Sequence, residues 1–104
     1  QKQQDEFFKI HRQGAEAYQA GIYQQALNDF RQSMELAPLN SGAALNFIQA
    51  AVRYTEENPK ATNTNSLKKE CEQCFKVLEG LQLSDSHTQR YEQLLEETEE
   101  LGLR

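Results

Sequence analysis

Residues 17–38, AYQAGIYQQALNDFRQSMELAP, read as the end of one helix, a two-residue turn and a second amphipathic helix. Ala26, Leu27, Phe30, Met34 and Ala37 follow Tyr23 at spacings of three and four, the period of one helical face. Pro38 disfavours the helical conformation in the residue before it and ends the segment. Upstream, Phe7, Ile10, Gly14, Ala17 and Gly21 recur with the same period, flanked by Phe8, His11 and Tyr18, which predicts a helix over residues 3–20 that stops at Gly21-Ile22. Such a hairpin is too small to bury its own apolar face, so the rest of the chain must cover it.

The remainder is also helical in pattern. Asn40 or Ser41 can cap a third helix, because a short side-chain oxygen satisfies the free N–H groups of a first turn, and Leu45, Ile48, Val52 and Tyr54 form its face. The segment 57–66, ENPKATNTNS, has no hydrophobic face and reads as a loop. Leu67, Cys71, Cys74, Phe75, Leu78 and Leu81 make a fourth stripe, closed near its end by Gly80. Ser84 or Asp85 opens a fifth helix carrying Tyr91, Leu94, Leu95, Thr98 and Leu101. Nothing reads as a strand, and helices joined mostly by short turns predict antiparallel neighbours.

Gly14, then Ala26-x-x-x-Phe30, then Pro38 resembles the tetratricopeptide repeat, a helix-turn-helix unit of about 34 residues carrying those residue types in that order. Ile10, Gln13 and Ala17 stand where the pattern prefers Trp, Leu and Tyr. Small residues at Gly14 and Ala26 let two helices approach closely, and Phe30 fills the space between hairpins. One repeat on, Ile10, Ala17 and Tyr18 map to Ala44, Ala51 and Val52. With the polar loop taken as an eleven-residue insertion, Ala26, Phe30 and Leu36 map to Cys71, Phe75 and Leu81. The expectation is therefore an all-α chain of about five helices, in antiparallel hairpins stacked as a short α-solenoid over residues 1–104. A first repeat occupies 7–40, a degenerate second 41–83, and a C-terminal capping helix 84–104.

In that family the first helix of each hairpin lines a groove that receives a peptide or helix. The resemblance thus implies a partner-binding groove lined by Phe8, His11, Arg12, Ala15, Tyr18 and Gln19 from the first helix, and by Leu45, Asn46, Gln49, Val52 and Arg53 from the third. Of the Lys, Asn and Arg set with which the chaperone-tail subset holds a terminal carboxylate, only Asn46 is matched. A degenerate second repeat ending in an LKKECEQC helix also looks like tail regions of bacterial response regulators. The implied function is a non-catalytic protein-interaction scaffold in the cytoplasm, with a protein or peptide partner and self-association into a homodimer as a further alternative.

Charge and motif content bear on the other function classes. The net charge is −5, and residues 85–104 hold six acids against two bases, so the negative excess sits in the last helix. Lys68-Lys69 is the only adjacent basic pair, which argues against a nucleic-acid partner, since phosphate binding requires clustered cations. The apolar run 43–52, AALNFIQAAV, is far short of the ~20 residues that span a bilayer, so no membrane partner is expected. The chain opens on Gln1 and its one methionine is Met34, which reads as a piece of a longer protein.

Cys71-x-x-Cys74 is the feature with the clearest alternative, a thiol redox pair or half a zinc site. Structural zinc needs four ligands, and neither a second CxxC nor a pair of histidines at ligand spacing is present. Packing is the favoured role, with no cofactor or metal. Glu92, Glu96, Glu97, Glu99 and Glu100 read as a solvated helix face. His11 and His87 have no catalytic partner in the pattern, and no phosphate loop or nucleophile elbow is present, so no enzyme activity is expected.

Overall fold

A computed structural model describes residues 2–104. Among them the chain forms five helices and no strand: α1 Lys2–Gln19, α2 Tyr23–Leu36, α3 Ser41–Glu57, α4 Thr64–Glu79 and α5 Asp85–Glu100. The α1–α2 turn is built by Gly21. Its N–H bonds the Tyr18 carbonyl at 3.0 Å, and the Ile22 N–H bonds the Ala17 carbonyl at 2.9 Å, so the last carbonyls of α1 are satisfied. This geometry needs a positive φ, which Gly21 supplies at +79° without a Cβ penalty.

The other boundaries follow the expected chemistry with one displacement. Asn40 caps α3 by accepting from the Ala43 N–H at 3.0 Å, and Ser84 caps α5 by accepting from the His87 N–H at 3.2 Å. The loop is shorter than expected, because α4 begins at Thr64 and Asn65 and Ser66 already lie in its first turn. That turn is polar on every side, so it carries no hydrophobic period to read. Gly80 does end α4, but at a φ of −86° that any residue adopts.

α3 is the centre of the molecule. It packs against α2, α4 and α5, and more lightly against α1, while α1 and α2 pack on each other along their length. Its buried side chains therefore lie all around the helix and include Leu45, Phe47, Ile48, Ala51 and Val52. Gly14 sets the α1–α2 approach: a Cβ there would lie 2.7 Å from Phe30 Cε1 and 3.1 Å from Asp29 Cβ. Ala26 of α2 and Cys71 of α4 are both fully buried, and Phe30 and Phe75 are nearly so. Arg31 of α2 grips Glu70 of α4 with two bonds, at 2.6 and 3.0 Å, and its guanidinium lies 5.4 Å from the centre of the Phe47 ring. None of the helices is long and apolar enough to cross a membrane.

α5 is tied down at both ends. Leu94 and Thr98 are buried, and the Thr98 hydroxyl donates to the Leu94 carbonyl at 2.6 Å. After the helix, Gly102 turns with φ +76°, the Leu103 N–H bonds the Thr98 carbonyl at 2.7 Å, and the Leu103 side chain enters the core. Leu103 is absent from the periodic stripe because it lies beyond the helix. The signal for it was the Leu-Gly-Leu ending, in which a glycine turn returns the next apolar residue to the helix.

Candidate functional site

α1, α3 and α5 share one side of the molecule, and a small cleft of about 130 Å³ opens between them. Ala15, Tyr18 and Gln19 of α1 line it, with Phe30 of α2, Asn46 and Gln49 of α3, and Arg90 of α5. Five of the expected groove residues thus meet at one place, and His11 joins them through Asn46.

The other five lie elsewhere. Leu45 and Val52, expected on the groove wall, are 0% and 1% exposed. Helices cover α3 on several sides, so its apolar positions are sealed and only polar ones such as Asn46 and Gln49 reach the cleft. Phe8 is exposed and lines a separate recess with Phe7, Leu36 and Ala37. Arg12 is exposed and does not line the cleft. Arg53 stacks on the Tyr23 ring at 5.2 Å and pairs with Glu56 at 3.4 Å. Tyr23 in turn meets Tyr18, centroid to centroid at 5.3 Å, so Arg53 belongs to an aromatic rim beside the cleft.

Arg90 is the residue that sequence reading missed. It stood in a helix read as an acidic cap, yet its spacing of four from Leu94 and eight from Thr98 puts it on the buried stripe of that helix. Its Nη2 donates to Asn46 Oδ1 at 2.9 Å, and partial burial lowers its pKa from the ordinary arginine value. The ion pairs among the described residues are Arg31–Glu70, Arg53–Glu56 and Arg104–Glu99. Arg90 therefore presents a half-buried cation without a carboxylate in a chain of net charge −5.

The hydrogen bonds around Asn46 fix their own direction. A guanidinium only donates, so the Asn46 atom facing Arg90 is the oxygen, and its NH2 faces His11 Nε2 at 3.1 Å. His11 Nε2 is then the acceptor, and the ring proton sits on Nδ1, which is buried without a partner. The ring stacks on Phe7 at 5.3 Å and meets Phe30 at 5.5 Å. Burial among these groups lowers the His11 pKa and favours the neutral ring. Nearer the start of α5, His87 Nδ1 and Ser41 Oγ lie 2.9 Å apart, a second polar link between α3 and α5.

Cys71 and Cys74 lie buried on α4, away from the cleft, and Cys74 Sγ is 3.5 Å from Met34 Sδ. Burial and the nearby Glu70 push the Cys74 thiol up to about 12. Burial, with Cys74, Glu70 and Glu72 adding to it, raises Cys71 further. Neither supplies a useful thiolate near neutral pH. Among the described residues no three His, Cys, Asp or Glu side chains are grouped to hold a metal ion. An apolar groove of about 340 Å³ does lie beside Cys74, between α2 and α4, with Met34, Pro38, Ala44 and Val77 in its walls.

No protein-family model, curated protein or solved structure matches the chain.

Proposed function

We propose that the chain is a non-catalytic protein-interaction module of the tetratricopeptide type, which takes up a peptide segment carrying a carboxylate in the cleft between α1, α3 and α5. The observation that carries this reading is Arg90, half buried and without an acidic partner beside Tyr18 and the amides of Gln19, Asn46 and Gln49. An arginine so placed has already lost much of its water, and a bidentate carboxylate would restore its hydrogen bonds. Tyr18 adds apolar area next to a polar tip, a combination frequent at contact hot spots.

The repeat assignment is supported by the close contact at Gly14 and by the like burial of Ala26 with Cys71 and of Phe30 with Phe75. The proposed setting is a reducing cytoplasm, in keeping with two unpaired thiols, where the module would serve as scaffold or signalling output region of a longer protein.

Selection of random peptides displayed with free C termini tests the reading. The peptides enriched by the native chain should bind through a carboxylate, weakening when that group is converted to the amide, and should lose about tenfold or more in affinity on Arg90→Ala, the loss of a charged hydrogen-bonded contact. Tyr18→Ala should weaken them too, while Lys68→Ala on α4 should not, with helical content unchanged by circular dichroism. Absence of enrichment, or enrichment indifferent to Arg90 and Tyr18, rejects it.

A further inference from the structure

We propose that His11, Asn46 and Arg90 form a proton-controlled latch tying α1, α3 and α5 together, held by the Asn46 amide while His11 is neutral and broken when His11 Nε2 takes up a proton. The geometry leaves Asn46 no alternative. Its oxygen must face Arg90, which cannot accept, so its NH2 must face His11 Nε2. A proton on Nε2 would set donor against donor. Turning the amide over would satisfy the imidazolium but would point the NH2 at the guanidinium, so one of the two links fails in either orientation.

The surroundings keep the latch closed near neutrality. From its own helix His11 faces Phe7, from α2 Phe30, from α3 Asn46, and from α5 Arg90 beyond Asn46. The charged group in that set is a cation, and the buried carboxylate of α2, Asp29, accepts from Gln25 Nε2 at 2.9 Å. His11 Nδ1 is buried without an acceptor, so an imidazolium would gain no partner there either. Burial places the folded pKa below the ordinary 6.5. The contribution of the neutral latch to stability is therefore complete above 6.5 and is lost as pH falls from there through the folded value. Acid would free Arg90 from the orientation that Asn46 imposes, weakening capture of a carboxylate; this consequence, unlike the latch itself, rests on the function proposed above.

Side-chain NMR of the isotope-labelled, ligand-free chain tests the latch without any partner, so its outcome is separate from that of the peptide selection. At about pH 8 His11 should be the Nδ1–H tautomer. On acidification the His11 ring, the Asn46 amide and the Arg90 guanidinium should shift with one common midpoint below that of an unperturbed histidine. His87→Gln should leave that midpoint in place. Asn46→Asp offers an acceptor to both neighbours and should raise the His11 midpoint by about one pH unit or more. An Nε2–H tautomer at high pH, a midpoint at or above that of a free histidine, or Asn46 signals that follow His87 would overturn the proposal.

Discussion

At the scale of single residues, Gly14 shows how two opposing effects are ranked. Replacing a helical glycine by alanine gains roughly 1 kcal/mol of helix propensity. At Gly14 the added carbon would stand 2.7 and 2.8 Å from the Phe30 ring and 3.1 Å from Asp29 Cβ, and Phe30 is itself only 2% exposed. The ring has little room to withdraw, and overpacking of this kind costs about 1–3 kcal/mol. Gly14→Ala should thus lower stability, whereas Gly80→Ala, whose nearest neighbour is the Val77 carbonyl at 3.6 Å with ordinary φ, should leave it unchanged or raise it. Urea denaturation of the two variants beside the native chain measures the contrast. Gly14 was legible because the sequence pairs it with Phe30 in a recognisable order. Arg90 was not, because its value comes from what it lacks, and a missing carboxylate is visible only once neighbours are in place.

At the scale of elements, the helices are set by their ends as much as by their apolar faces. Gly21 and Gly102 both turn with positive φ, and nothing lies within 4 Å of a Cβ built on either. Substitution there meets no steric neighbour, so the cost is that of the left-handed backbone alone, roughly 1–2 kcal/mol. Gly21→Ala should be destabilised by about that amount and Gly21→Asn by less, since Asn tolerates this region better; thermal melting of both variants checks the order. The one boundary misread by sequence, the start of α4, has the opposite character. Asn63, Thr64, Asn65 and Ser66 favour caps and turns locally, and Asn63 makes no side-chain cap, so neither period nor capping marks where the helix begins.

At the scale of the whole molecule, closure depends on a residue that follows the last helix. Leu103 is fully buried although it follows the last helix, and its backbone holds Thr98, which is buried as well. Leu103→Ala removes a core side chain where the turn leaves little freedom to collapse, a change that costs about 2–5 kcal/mol. It should lower the denaturation midpoint markedly, and amide hydrogen exchange should show α5 losing protection ahead of the other helices. Preserved protection in α5 would mean that Leu94 and Thr98 suffice to hold it. The effect should extend to the cleft, because α5 brings Arg90 to it.

The helical class, the number of helices and most helix ends follow from the sequence alone, since hydrophobic period, capping oxygens and turn glycines are local properties of the chain. The resemblance to the repeat family named Ala15, Tyr18, Gln19, Asn46 and Gln49, and these five side chains line one cleft. Tertiary packing of α3 among its neighbours makes Leu45 and Val52 core and brings Arg90 to the cleft. It alone joined His11 to Asn46 and Arg90. A helical period shows which residues share a face. What that face meets depends on contacts between segments distant in sequence, and hydrogen-bond direction depends on which donor stands opposite which acceptor.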